Sequence, residues 1–244
     1  MKTFVEQKRS GFSRTWLMLI LPPVLFLIAI IAAIITIGLQ TQGDAQAIET
    51  RVPFAMPYIL LAVQVMLLGM FWIVARGEGT SWREIGWKVA ARQSWPFEGL
   101  IGGGVGIAVA LLYEFALSPL LTWLQFNVGD YVPPEQIAPT LGSALLPFFI
   151  ANVLLAPFVE ENIYRGYALT RLAPRLGTPL AVLISCLFFG LLHWAGGFWY
   201  IILTGVVAGG LFSGLFLWRK NIIAPFAAHL ALNLIEFLFV AFAQ

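Results

Sequence analysis

The stretch APFVEENIYRG, residues 156–166, places Glu160, Glu161 and Arg165 in one of the most apolar regions of the chain. An ionised side chain at a bilayer centre costs roughly 2.5–3.5 kcal/mol, so such groups are retained for pairing or for chemistry. Glu161 and Arg165 stand four residues apart with the acid first, the orientation in which a helical ion pair forms best. Glu160 is turned about 100° from Glu161 and has no evident partner on its own helix. Both histidines of the protein also lie in apolar runs, His193 at the end of CLFFGLLH and His229 within APFAAHLALN. A carboxylate and two imidazoles brought together can activate water.

The spacing allows that meeting. The basic turn after Glu160 centres near Leu176, with Glu160 sixteen residues before it and His193 seventeen after it. In a helical hairpin both lie about 24 Å from the turn, at matching depth. His229 lies nine residues beyond Lys220, or about 13 Å along its helix. Asn233, four residues after His229, shares its helical face, so both can donate hydrogen bonds toward one point. Phe189 bears the same relation to His193 and either walls the site or packs against a neighbouring helix. Glu236 continues the His229 face, or reaches for the outer interface. Glu114, beside Tyr113, is a further candidate for a supporting hydrogen bond.

Two chemistries use this set. In one, Glu160 takes a proton from a water that His193 also holds, while His229 and Asn233 stabilise the oxyanion formed at an amide carbonyl. In the other, Glu160, His193 and His229 are three ligands of a zinc ion with water in the open position. There is no H-E-x-x-H run, and spacing leaves both open. Ser185 and Ser213 lack a nearby candidate base and no aspartate falls within an apolar span, which disfavours serine and aspartyl hydrolysis.

The elements that must position these residues are membrane helices. Of 244 residues, 60% are hydrophobic and 11% charged, which marks a polytopic membrane protein. No polar stretch is long enough for a separate soluble domain, so the expectation is one integral-membrane domain, 1–244. Apolar stretches near 16–38, 57–75, 99–124, 142–172, 179–195, 198–218 and 222–242 predict an all-α bundle of about seven transmembrane helices. The run after Arg14 exceeds a signal-peptide core and reads as a retained first helix. Basic residues fall in alternate gaps: Lys2, Lys8, Arg9 and Arg14, then Arg76, Arg83, Lys88 and Arg92, then Arg171 and Arg175, then Arg219 and Lys220. This pattern puts the N-terminus in the cytoplasm and the C-terminus outside. The other gaps hold Asp44, Glu49, Arg51, Asp130 and Glu135, or no charge around Gly196 and Gly197.

The segment GTSWREIGWKVAARQSW, 79–95, mixes tryptophan with basic residues and reads as an anchoring loop or short helix at the headgroup boundary. Trp72, Trp194, Trp199 and Trp218 sit near span ends, where interfacial aromatics belong. A net charge of +2 gives no footprint for nucleic acid, and the single cysteine, Cys186, excludes an internal disulfide and a cysteine-based metal cluster.

EENIYR, FGLLH and HLALN have the forms E-E-x-x-x-R, F-x-x-x-H and H-x-x-x-N, in that order on successive hydrophobic segments. The chain thereby resembles the CAAX protease and bacteriocin-processing (CPBP, or ABI) family of intramembrane endopeptidases, over about residues 97–240. The resemblance implies a helical membrane core whose cavity is lined by Glu160, His193, His229 and Asn233 and supported by Glu161 and Arg165. It implies either a metallo- or a glutamate-type intramembrane protease acting on a membrane-associated peptide or a lipidated, CAAX-type protein tail. The compact chain resembles the family's prokaryotic members, of the plasma membrane. A noncatalytic scaffold or bacteriocin-immunity protein of the same fold is the rival, and a small transporter the weaker third reading, since no inverted repeat is seen.

Overall fold

The computed structural model describes residues 4–90, 94–132 and 141–242, with the side chains of 4–10 excepted. The expected basic positions Lys2 and Arg92 and the acidic Glu135 lie outside the described residues. Seven helical segments follow in order: α1 (Phe4–Gln40), α2 (Ala45–Gly77), α3 (Trp95–Asn127), α4 (Gly142–Leu176), α5 (Thr178–Leu192), α6 (Phe198–Arg219) and α7 (Ile223–Phe242). No strand occurs among the described residues.

Six of the seven are long and apolar enough to cross a bilayer. The fifth expected span, 179–195, is shorter in the structure. α5 has 15 residues, about 22 Å at 1.5 Å per residue, against a hydrocarbon core of about 30 Å. His193 leaves helical geometry at φ −95° and ψ 19°, a single tight turn covers Trp194–Gly196, and Gly197 at φ 97° starts α6. The sequence WAGG permits this: a positive φ is open to glycine and costly for a side chain. The helix that carries His193 therefore ends at that histidine.

The bundle buries a few polar groups within a largely apolar and aromatic core, and its rim is apolar. Arg165, Tyr164, Tyr167, Phe71, Phe189 and Phe212 are fully buried, while Leu100, Phe115, Ile73 and Val206 are exposed. Outward aliphatic side chains suit a hydrocarbon solvent, and the interior keeps groups that lipid would penalise. α4 is the central element. Two π-helical stretches, Phe149–Leu155 and Asn162–Leu169, flank a six-residue α-helical stretch, Ala156–Glu161, that bears both glutamates. Pro157 lies at the start of that stretch and has no N–H to give to the preceding turn, so the ladder is already interrupted where the π stretch meets it.

α3 and α7 run in parallel and pack on each other more extensively than any other pair. A Cβ on Gly102 would lie 2.1 Å from the Ala224 carbonyl oxygen, and one on Gly106 2.1 Å from that of Ala228. Only glycine permits this approach, as in small-residue membrane crossings generally. At the end of the bundle that carries the basic residues, Glu98 receives a bidentate pair from Arg219, at 2.9 Å from Nε and 2.6 Å from a terminal nitrogen. That pair ties the start of α3 to the end of α6.

The 79–90 part of the Trp-rich segment folds back onto the bundle. Trp87 Nε1 donates to Asn162 Oδ1 at 2.8 Å, and Ile222 N donates to Gly86 O at 2.9 Å. Trp82 and Trp87 both pack on Phe158. The segment thus holds the α4 turn that precedes the two glutamates, in addition to any anchoring role.

Candidate active site

Arg165 and Glu161 are both fully buried and form the expected i,i+4 pair at 2.7 Å. The guanidinium also donates to Gly209 O at 3.1 Å and lies over the Phe189 ring, 4.3 Å from its centroid. A π-helical stretch within α6, Thr204–Gly209, brings that carbonyl to it. These contacts, with the Phe212 ring 5.5 Å away as a fourth, fix the guanidinium in place, and it fixes Glu161 in turn.

The carboxylate that meets an imidazole directly is Glu161. His229 Nδ1 donates to Glu161 Oε1 at 3.0 Å, the same oxygen that receives Arg165. His229 is 3% exposed, stacked on Phe212 at 5.0 Å and edge-on to Phe189 at 5.8 Å. With Nδ1 used, Nε2 is the atom left for chemistry. The spacing argument had assigned Glu161 to Arg165 alone; one turn of α7 lies close enough for the carboxylate to serve both partners.

Glu160 is 3% exposed and points into the protein. Its Oε1 accepts from Gln64 Nε2 at 2.9 Å, and its Oε2 is buried without a hydrogen-bond partner. Gln64, on α2 and 1% exposed, is the contact that sequence reasoning missed. Its signal was available, an amide inside a long apolar helix, but nothing local connects residues 96 positions apart.

His193, half-buried at the end of α5, uses Nδ1 against Phe189 O at 2.8 Å. Nε2 is again the free ring atom. Glu160 and His229 both lie within electrostatic range of this imidazole. Phe189 packs on both imidazoles and on a tyrosine: its ring lies 5.0 Å from His193, 5.8 Å from His229 and 5.5 Å from Tyr164. It is the partition between the two imidazoles.

Asn233 is 7% exposed and donates to Asn152 O at 2.7 Å, so one of its two N–H groups is directed at the π-helical stretch of α4 rather than at a point shared with His229. The open carbonyls of that stretch explain the diversion. Glu236 is half-buried and Glu114 exposed; both belong to a separate grouping with Tyr113 and Tyr200.

The donor types Glu160, His193 and His229 are those of a catalytic zinc site. Among the described residues, however, no group of three or more His, Cys, Asp and Glu side chains stands together as a metal site requires. The hydrogen bonds do not themselves oppose a metal: Glu160 Oε2 and the Nε2 atoms of both imidazoles are uncommitted, and Nδ1 held by a carbonyl or carboxylate is usual for a metal-binding histidine. It is the separation of the three side chains that does not match a three-ligand ion, and their free atoms can act on water directly.

The comparisons agree with the motifs. Residues 142–235 match the family described as Rce1-like, type II CAAX prenyl endopeptidase Rce1-like. An uncharacterized protein of Mycoplasma capricolum subsp. capricolum is 28% identical over 144 residues, which covers 54% of this chain and 42% of that protein. The chain thus spans about two fifths of the length of this curated relative. No solved structure matches. The matched segment contains Glu160, Glu161, Arg165, His193, His229 and Asn233, and through it this polytopic helical membrane protein bears the family resemblance read from its three motifs: it is similar, over residues 142–235, to the Rce1-like type II CAAX prenyl endopeptidases.

Proposed function

We propose that the protein is an intramembrane endopeptidase of glutamate type, hydrolysing a peptide bond of a membrane-associated peptide or lipidated protein tail. The observation that carries this reading is the state of three atoms. Two imidazoles are each held through Nδ1, leaving Nε2 free, and a buried carboxylate holds one oxygen on Gln64 and keeps the other unpartnered. A buried carboxylate oxygen without a donor is costly unless water or substrate supplies one.

A water in that position gives one hydrogen to Glu160 Oε2 and the other to His193 Nε2, which turns its lone pair toward an amide carbon. Glu160 takes the proton as the water oxygen bonds to the carbonyl carbon. The carbonyl oxygen, now an oxyanion, receives a hydrogen bond from an Nε2–H of His229, which the imidazolium form supplies while Glu161 holds Nδ1, and from the second N–H of Asn233. Glu160 then returns the proton to the leaving nitrogen as the C–N bond breaks, and a carboxylic acid and an amine leave. Arg165 holds Glu161 in place beside His229 through their 2.7 Å pair and touches no reacting atom. Positioned proton transfer of this kind contributes roughly 10²–10⁴-fold, and an oxyanion donor about 10²–10³-fold.

The test compares the membrane peptides of cells carrying the parent protein with those of cells carrying Glu160→Gln. Fragments present only with the parent, and regenerated by the purified protein in vesicles, support the reading. Identical peptide sets, with no cleavage by purified protein, overturn it in favour of a noncatalytic scaffold. Chelation separates the two hydrolytic types: cleavage that persists in strong chelator supports the glutamate type, and cleavage lost to chelator and restored by zinc refutes it.

A further inference from the structure

Two carboxylates inside the spans take no part in the chemistry above. Glu114 lies in the π-helical stretch Tyr113–Leu117 of α3 and Glu236 on α7. Gly102 against Ala224 and Gly106 against Ala228 set a constant offset of 122 residues between these parallel helices, which brings Glu114 level with Glu236 within about a turn. The two acids lie within electrostatic range of each other. Among the described residues neither has an ion-pair partner. Two carboxyl groups side by side in apolar spans are costly to ionise together, through mutual repulsion and the loss of water.

A second observation falls on the same place. Thr204 on α6 is 5% exposed, and its hydroxyl has no hydrogen-bond partner. It lies close to the hydroxyls of Tyr113 and Tyr200, both of which also feel the charge of Glu236. Tyr113 Oη is likewise buried and unpartnered. Buried hydroxyls without a hydrogen-bond partner, beside two carboxyl groups without an ion-pair partner, are suited to a donor-rich group. The Tyr200 ring packs on His193 at 6.0 Å, so the grouping adjoins the candidate active site. Glu236 follows His229 by seven residues, about 10 Å along α7, the reach of about three extended peptide residues. Glu114 is exposed, so the grouping opens laterally from the bundle.

We infer that Glu114, Glu236, Tyr113 and Thr204 form a specificity subsite for a cationic substrate side chain, lysine or arginine, about three residues from the bond that is cut. This rests on the peptidase reading for its place in the reaction. The carboxylates supply countercharge and the hydroxyls accept further N–H groups, so an ammonium or guanidinium satisfies several buried atoms at once.

Binding tests it without hydrolysis. The full chain carrying Glu160→Gln is placed in nanodiscs of zwitterionic lipid and titrated with N-acetyl-Lys-Leu-Leu-amide and with its norleucine counterpart. The lysine peptide binds about tenfold more tightly, the ratio one charge-assisted hydrogen bond supports. Adding Glu114→Gln and Glu236→Gln brings the ratio near one while the norleucine peptide binds as before. Glu236→Gln alone, in a protein of unchanged Tm, reads the same loss if the multiple variant does not fold. Equal binding of the two peptides, or a preference that survives both substitutions, overturns the subsite. If the lysine preference holds while the parent cleaves no peptide, the peptidase reading fails and the subsite stands; if peptides are cut with no lysine preference, the subsite alone fails.

Discussion

Gly106→Ala is the sharpest probe of how the site is held together. The added methyl would lie 2.1 Å from the Ala228 carbonyl oxygen and 2.8 Å from the Ala231 Cβ, where an ordinary contact is about 3.5 Å. The obstruction is backbone, so α7 must move away from α3 by more than about 1 Å. Ala228 immediately precedes His229, whose 3.0 Å hydrogen bond to Glu161 would stretch beyond useful range. Overpacking of this kind costs about 1–3 kcal/mol of stability, and a displacement of about 1 Å in a catalytic group costs about 100-fold in rate. Gly104→Ala is the matched control. Nothing lies within 4 Å of a Cβ there, and alanine is the better helix former by about 0.5–1 kcal/mol. Purified variants are compared by Tm in detergent and by kcat on one peptide substrate. Gly106→Ala is expected to melt lower and turn over about 100-fold more slowly, with Gly104→Ala at or above the parent in both. Equal Tm and kcat for the two alanine variants would refute the close-packing account of how His229 is placed.

Two further outcomes follow from individual contacts. Gln64→Leu removes the donor to Glu160 Oε1 and is expected to lower kcat by about 10- to 100-fold with little change in KM, read by steady-state kinetics; an unchanged kcat would remove Gln64 from the site. Asp130, in the loop after α3, receives Phe198 N at 2.8 Å and Trp199 N at 3.3 Å and so pins the turn that follows His193. Burial pushes its carboxyl up, but the backbone N–H groups of Phe198, Tyr131 and Trp199, with the Gln125 amide, outweigh burial and hold it below the ordinary aspartate range. A depressed folded-state pKa means that the stabilisation is present above about pH 4, the unfolded aspartate value, and is lost as pH falls through the lower folded value. Tm should therefore drop as pH is lowered from about 5 to about 3, and Asp130→Asn should flatten that part of the curve; parallel curves for the two proteins would contradict this.

The candidate site residues stand out in the sequence because the surroundings are so apolar. A Glu-Glu-x-x-x-Arg run and two histidines in hydrophobic segments stand out by residue type alone, and the Glu161–Arg165 pair follows from helical spacing. The helices were legible by length and hydropathy, apart from the fifth. There an apolar run continuing through His193 hid a stop set by Gly196 and Gly197, whose effect depends on backbone geometry more than on hydropathy. The pairings between distant helices were not legible. Gln64 meets Glu160 and Glu161 meets His229 through tertiary packing that no period in the sequence encodes. The π-helical stretches on both sides of the glutamates also shift the angular register on which any face argument depends. Asn233 shows the consequence, since its shared face with His229 was read correctly but its amide is drawn to Asn152 in one of those stretches.

The account rests on the unpartnered oxygen of Glu160 as the group that takes a proton from water. The most direct measurement is the rate of peptide cleavage by purified Glu160→Gln beside the parent, at equal Tm and with substrate binding measured separately. The expected result is a loss of at least about 100-fold in kcat with binding retained. Parent-like cleavage by the glutamine protein would contradict it.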